Sequence, residues 1–131
     1  SQIDRGADVV YHAAGGTGVG VLQAAADAGA LGIGVDSNQN HIHPGQVLTS
    51  MLKRVDNAVF DAMSDVENGE WTTGVYVMGL NEDGVGYALD EHNAELITDE
   101  MKAAAEEARA KIISGEVSVH DYTSDGSCPV M

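Results

Sequence analysis

The chain has 131 residues, 44% of them hydrophobic and 5% aromatic, and carries 21 acids against 6 basic residues for a formal net charge of −15. That length holds one ordinary domain, and the apolar content excludes wholesale disorder. The charge disfavours nucleic acid and anionic lipid as partners, since both would repel it, and a lone cysteine, Cys128, excludes an internal disulfide framework or a cysteine–zinc scaffold.

The acids are spread along the chain rather than gathered in a tail, and only three residues are lysine. Such an acidic, lysine-poor surface suits a protein kept soluble in concentrated salt, where ions screen its self-repulsion. A halophilic source is therefore one expectation, and a melting temperature that falls on dilution from molar to tenth-molar salt is its sign. No run approaches transmembrane length and no signal peptide opens the sequence. It starts abruptly, without an initiator Met, and reads as the carboxyl-terminal piece of something longer.

Residues 1 to 7 read as the tail of a preceding helix or loop. Residues 7–38, ADVVYHAAGGTGVGVLQAAADAGALGIGVDSN, read as strand, glycine turn, helix and strand. Val9, Val10 and Tyr11 make the first strand, and the glycines at 15, 16, 18 and 20 permit a tight turn. Val19, Leu22 and Ala26 give the helix an apolar face. Leu31 to Val35 is a second buried run that delivers Asp36 at its carboxyl end, the edge where parallel α/β sheets bind ligands.

Residues 37–48 are polar, with Pro44-Gly45 marking a loop. From Thr49 to about Asn68, Met51, Val55, Ala58, Val59, Ala62 and Val66 fall on one helical face. Thr49 or Ser50 is the expected cap and Asn68-Gly69 the expected end. Thr73 to Leu80 has strand composition, Asn81 to Gly86 reads as a turn, and Val85 to Leu89 as a further short strand. Thr98 opens a last helix with Met101, Ala104, Ala105, Ala108 and Ile112 as its buried stripe and Gly115 as its stop. The tail from Glu116 starts as an alternating strand and then frays. No internal repeat or linker divides the chain.

Several sites invite a chemical reading, each beside a plain one. GGTGVG with Asp36 beyond it resembles a dinucleotide fingerprint, but its third glycine comes one residue early. Amides at a helix start suit a polar ligand, and a carboxylate accepts two sugar hydroxyls; equally, the glycines let helix and strand pack closely. His41 and His43 share a face, yet nothing nearby completes a metal set, so they read as loop histidines. His12 lies near the end of the first strand, where a partly buried, hydrogen-bonded role explains it as well as a ligand role. Lys53 and Arg54 are either a helix-surface pair facing Asp56 and Asn57, or cations near the Asp36 edge. No nucleophile has an activating context and no G-x-S-x-G occurs, so enzymatic chemistry is not expected.

YHAAGGTGVGVLQAA, IGVDSNQ, VLTSMLKRVDNAVFDA and the elements around Leu80 and Val85 together resemble the carboxyl-terminal part of the basic membrane protein family. These are substrate-binding lipoproteins of ABC transporters, the purine nucleoside receptor among them. The resemblance, from about Gly6 to Ile113, implies an α/β chain that is part of a type I periplasmic-binding-protein fold, a parallel sheet flanked by helices around a Rossmann-like βαβ unit. It implies that residues 1 to about 47 belong to the second lobe. Residues from about 48 to 131 would return to the first lobe and complete the hinge and lobe ends.

By the same resemblance Asp36 binds ribose hydroxyls, Lys53 faces the ligand, and Ala14, Gly15 and Gly16 line the cleft. The family stacks the base between aromatic rings; the strand before the turn here, VVYHAAGG, has no Phe, so either His12 substitutes or the second ring is lost, which leaves purine preference open. The implied function is solute binding for an ABC importer, with a nucleoside or similar small polar solute as ligand, no cofactor, no metal and no catalysis. The implied partner is a transporter permease, and the location is extracytoplasmic, at the membrane only through a lipid anchor outside these residues. An uncovered lobe interface leaves the fragment open to self-association. Two other readings are the Rossmann half of an NAD-dependent enzyme and an intracellular ligand-sensing regulator of the same fold.

Overall fold

Val9–Tyr11 forms β1, and a single 3₁₀ turn at Gly15–Thr17 leads into helix α1, Gly18–Asp27. Strand β2, Leu31–Gly34, returns beside β1, and β3 spans Val47–Lys53. Helix α2 (Val55–Asn68), strand β4 (Val85–Tyr87), helix α3 (Asp99–Ile113) and the short α4 (Tyr122–Asp125) follow. The computed structural model describes residues 2–128.

The sheet order is β1-β2-β3-β4. The first three strands are parallel, with Val9 opposite Leu31 and Ile33 opposite Thr49, and β4 runs antiparallel to β3, with Met51 opposite Tyr87. Parallel neighbours need a crossover, and α1 supplies it between β1 and β2. Its apolar stripe does the packing: Leu22 and Ala25 are each 1% exposed and join Ala30, Val35, Val47 and Ala88 in a small core. Burying Leu22 alone stabilises by about 1.5–3 kcal/mol. Val19, expected on this face, points outward.

The region after the Pro44-Gly45 loop departs from expectation. Thr49 and Ser50 lie inside β3 rather than at a helix cap, and α2 starts at Val55 after Arg54, which makes no side-chain cap bond. Helical spacing from Met51 onward is real, but residues 47–53 find partners on both sides, β2 and β4, and pairing outweighs local periodicity. The expected strand at 73–80 does not form. Val75 and Val77 stand in solvent with no neighbouring strand to complete a ladder.

The apolar faces of the later helices are also uncovered. Val55, Val59, Met63 and Val66 of α2 are exposed, as is Met101 of α3, and no α3 residue is buried. The stripe read for α3 is therefore not a core face here. Polar contacts hold α3 instead. Arg109 donates to the Leu80 carbonyl at 3.1 Å and pairs with Asp83, while the Tyr87 hydroxyl donates to Glu106 at 3.2 Å. Thr98 does cap α3, its hydroxyl accepting from the Met101 amide. Among the described residues the tail after Gly115 forms no strand; its one element there is α4.

Candidate ligand edge at the ends of the parallel strands

Because β1, β2 and β3 run parallel, their carboxyl ends share one edge of the sheet, where the strand polarity leaves side chains of successive loops facing a common space. His12 follows β1, Asp36 follows β2, and Lys53 closes β3. The Ala14–Gly16 turn rises over this edge into the start of α1. Asp36 and Lys53 meet there: the ammonium stands 3.2 Å from Asp36 Oδ1, and the Lys53 amide donates to the Asp36 carbonyl at 2.9 Å. The two side chains are 54% and 62% exposed. An ion pair so open to water contributes at most about 1 kcal/mol, which leaves both charges available to a ligand.

Asp36 adopts φ +68°, the left-handed region that a non-glycine residue seldom enters. Such a conformation persists only where its surroundings over-determine it, and here they do. The Ser37 amide donates to the Val35 carbonyl and the Val35 amide to Gln39 Oε1. The Gln39 amide donates to Ser50 Oγ at 3.0 Å, and Ser50 Oγ donates to Asn40 Oδ1 at 2.8 Å. Gly34 has no room for a side chain, since a Cβ would stand 2.5 Å from Ser50 Oγ and 2.9 Å from Gln39.

A second set of bonds reaches this turn from the far side of β4. Asp90 Oδ2 accepts from Asn38 Nδ2 at 2.6 Å and Asn40 Nδ2 at 3.1 Å, and Oδ1 accepts from the His92 amide. The bond from Asn38, then those from His92 and Asn40, hold the Asp90 carboxyl below its usual range. Asn93, fully buried, donates to the carbonyls of Leu48 and Ala88 and accepts from the Asp90 amide. The sequence gives no local sign of this set, whose members lie about fifty residues apart along the chain. Ser50→Ala removes the partner of the buried Asn40 Oδ1 and of the half-buried Gln39 amide, so the folded state should lose about 1–3 kcal/mol. A denaturation midpoint equal to the parent's would show that the set does not form.

His12 is 6% exposed, and neither ring nitrogen has a hydrogen-bond partner among the described residues. Its imidazole fills the space beneath Gly18, the first residue of α1. The ring thus supports the turn from below and presents no open face for stacking. Arg54 turns away from Asp36 and pairs with Asp56 and Asn57, the plainer of its two readings. His41 is exposed and His43 partly covered, and no group of three metal-ligating side chains occurs among the described residues. A groove of about 660 Å³ lies elsewhere, between α2 and residues 71–78, lined in part by Phe60, Trp71 and Tyr76. Its lining has acids but no base to pair with them, whereas Asp36 and Lys53 pair at the edge.

A family model described as ABC transporter substrate-binding protein, PnrA-like, matches residues 1–123. The chain belongs to this family. Among curated relatives of this substrate-binding family, an uncharacterized lipoprotein of Pyrococcus abyssi is 41% identical over 65% of this chain and 22% of its own length. Basic membrane protein D of Borreliella burgdorferi is 36% identical over 66% of this chain and 27% of its own. A solved ABC transporter solute-binding protein of Aeropyrum pernix superposes with a TM-score of 0.73 at 28% identity, over 94% of this chain and 44% of that one. The chain therefore spans about a quarter of the length of these curated relatives. Its sheet and crossover helix are part of the type I periplasmic-binding-protein fold, as the resemblance implied.

Proposed function

We propose that these residues form part of the solute-binding component of an ABC importer, and that its ligand is a nucleoside or a related small polar solute. The observation that carries this reading is the meeting of Asp36 and Lys53 at the carboxyl ends of the parallel strands, the Asp36 backbone held in a left-handed turn; the Ala14–Gly16 turn follows the same end of β1. Asp36 accepts the ribose hydroxyls, Lys53 swings from Asp36 to a ligand oxygen, and Ala14, Gly15 and Gly16 form the wall. His12 holds that wall in place. No step needs catalysis or a cofactor.

In this reading the lobe boundary falls after β3 rather than at about residue 47, since β3 pairs with β2: the parallel strands belong to one lobe and α2 returns toward the other lobe and the hinge, with the ligand closed between them. The uncovered faces of α2 and residues 71–77 support it, because monomeric proteins rarely expose so contiguous an apolar surface. The same surface would let these residues self-associate when taken alone. Membership of a substrate-binding family, with relatives named as lipoproteins, supports a transporter permease as partner and an extracytoplasmic, lipid-anchored location. Among the described residues no helix is long and apolar enough to cross a membrane. The −15 charge favours a salt-adapted protein.

Calorimetric titration of the complete polypeptide in molar salt, with adenosine, guanosine, inosine, ribose and NAD, tests the reading. Micromolar or tighter binding of a nucleoside with NAD silent is the expected result. Binding of NAD alone would replace the receptor with a dinucleotide site.

A further inference from the structure

We propose that Asp90 is a positioning residue for the ligand group Asp36, acting through Asn38 and Asn40. The inference rests on the reading of Asp36 as a ligand contact and adds what keeps that contact in place. A left-handed aspartate relaxes toward ordinary backbone unless the turn around it is fixed. Three tethers fix this one. The Lys53 amide holds the Asp36 carbonyl, Ser50 Oγ holds the Gln39 amide, and Asp90 holds the side chains of Asn38 and Asn40.

The first two tethers come from β3, immediately beside the turn. The third comes from the segment after β4, and so couples the Asp36 turn to a different part of the chain. Asn38 relays it most directly: its amide nitrogen donates to Asp90 while its Oδ1 accepts from the Asn40 amide at 3.0 Å. Asp90 is itself held, its amide on Asn93 and its Oδ1 on the His92 amide.

Chemistry at position 90 makes the role specific to a carboxylate. Three donors converge on its two oxygens, which an ionised acid satisfies with lone pairs to spare. An amide offers one oxygen, so whichever way it turns its NH₂ faces a donor, either the NH₂ groups of Asn38 and Asn40 or the His92 amide. Asp90→Asn keeps size and shape while opposing donor to donor on one side and removing the charge that all three bonds use.

The test compares the parent with Asp90→Asn, Asp36→Asn and the double variant, by adenosine titration of the complete polypeptide and by amide hydrogen exchange. Asp90→Asn should weaken adenosine binding about tenfold, the equivalent of one charged hydrogen bond, and should add nothing to the loss caused by Asp36→Asn. Exchange at the Lys53 amide, which reports the Asp36 carbonyl, should rise about tenfold relative to amides of α1. An equal loss of affinity in both backgrounds would make Asp90 a general structural residue and overturn the proposal. Adenosine affinity unchanged by Asp36→Asn would refute the ligand reading instead; exchange then decides, and parent-like protection at Lys53 in Asp90→Asn overturns the positioning role. Should Asp90→Asn not fold, Asn38→Ala cuts the same tether at an exposed side chain and is held to the same outcomes.

Discussion

Asp36→Ala in the complete polypeptide should lower nucleoside affinity by about 1.5–3 kcal/mol, the range for a hydrogen bond to a charged group. Two effects combine in that substitution. The carboxylate proposed to accept the sugar hydroxyls is lost, and alanine is a poor occupant of the left-handed conformation that Asp36 adopts. Asp36→Asn separates them, because asparagine tolerates this conformation while it removes the charge and replaces one acceptor oxygen with a donor. Loss of the Lys53 pair adds little to stability, since both side chains are more than half exposed. Folding free energy should therefore hardly change in Asp36→Asn while affinity falls. Equal titration curves for the parent and both variants would remove Asp36 from the site.

Gly18→Ala should be the most damaging single methyl in the βαβ unit. The added Cβ would overlap the buried His12 imidazole, and β1 and the start of α1 leave that ring little space to retreat. Overpacking of this kind costs about 1–3 kcal/mol, occasionally more, and the ring's rigidity places this case at the upper end. His12→Ala should relieve it. In a double-mutant cycle by chemical denaturation, the pair should be less destabilised than the sum of the singles, as expected for residues in contact. Strict additivity would mean that His12 does not support the turn.

These two positions also show what a sequence can disclose. The strand, turn, helix and following acid are local chemistry: glycines at a turn, a five-residue apolar run from Leu31 to Val35, a carboxylate just beyond it. That unit was legible for this reason; the Asp36–Lys53 neighbourhood was one of two readings the residues left open, and only the family resemblance pointed to it. Residues 47–53 were not, because Met51 continues the helical spacing of α2 backward and only pairing with β2 and β4 makes them a strand. Thr73 to Leu80 failed in the opposite sense. Its β-branched composition promises a strand, but a strand needs a neighbour, and Val75 and Val77 have none.

The bonds around Asp36 are harder still to foresee. Asn38, Asn40, Ser50, Asp90 and Asn93 are ordinary polar residues in polar stretches, and nothing in their spacing links them. Their role follows from burial: three of them, Asn40, Ser50 and Asn93, are 0% exposed, and polar groups so placed must find partners. Burial is a property of the fold, so the link is visible only in three dimensions. The apolar stripe of α2 has the same lesson reversed. Its periodicity is correct, yet the face is open, consistent with the proposal that another part of a longer protein covers it.

The proposed place for the ligand's sugar is Asp36, and a crystal structure of the complete polypeptide with adenosine is the decisive test. Both ribose hydroxyls should lie within hydrogen-bond reach of the Asp36 carboxylate, with the Lys53 ammonium moved from Asp36 to the ligand. Adenosine seated instead in the Phe60–Trp71–Tyr76 groove, with Asp36 still paired to Lys53, would contradict it.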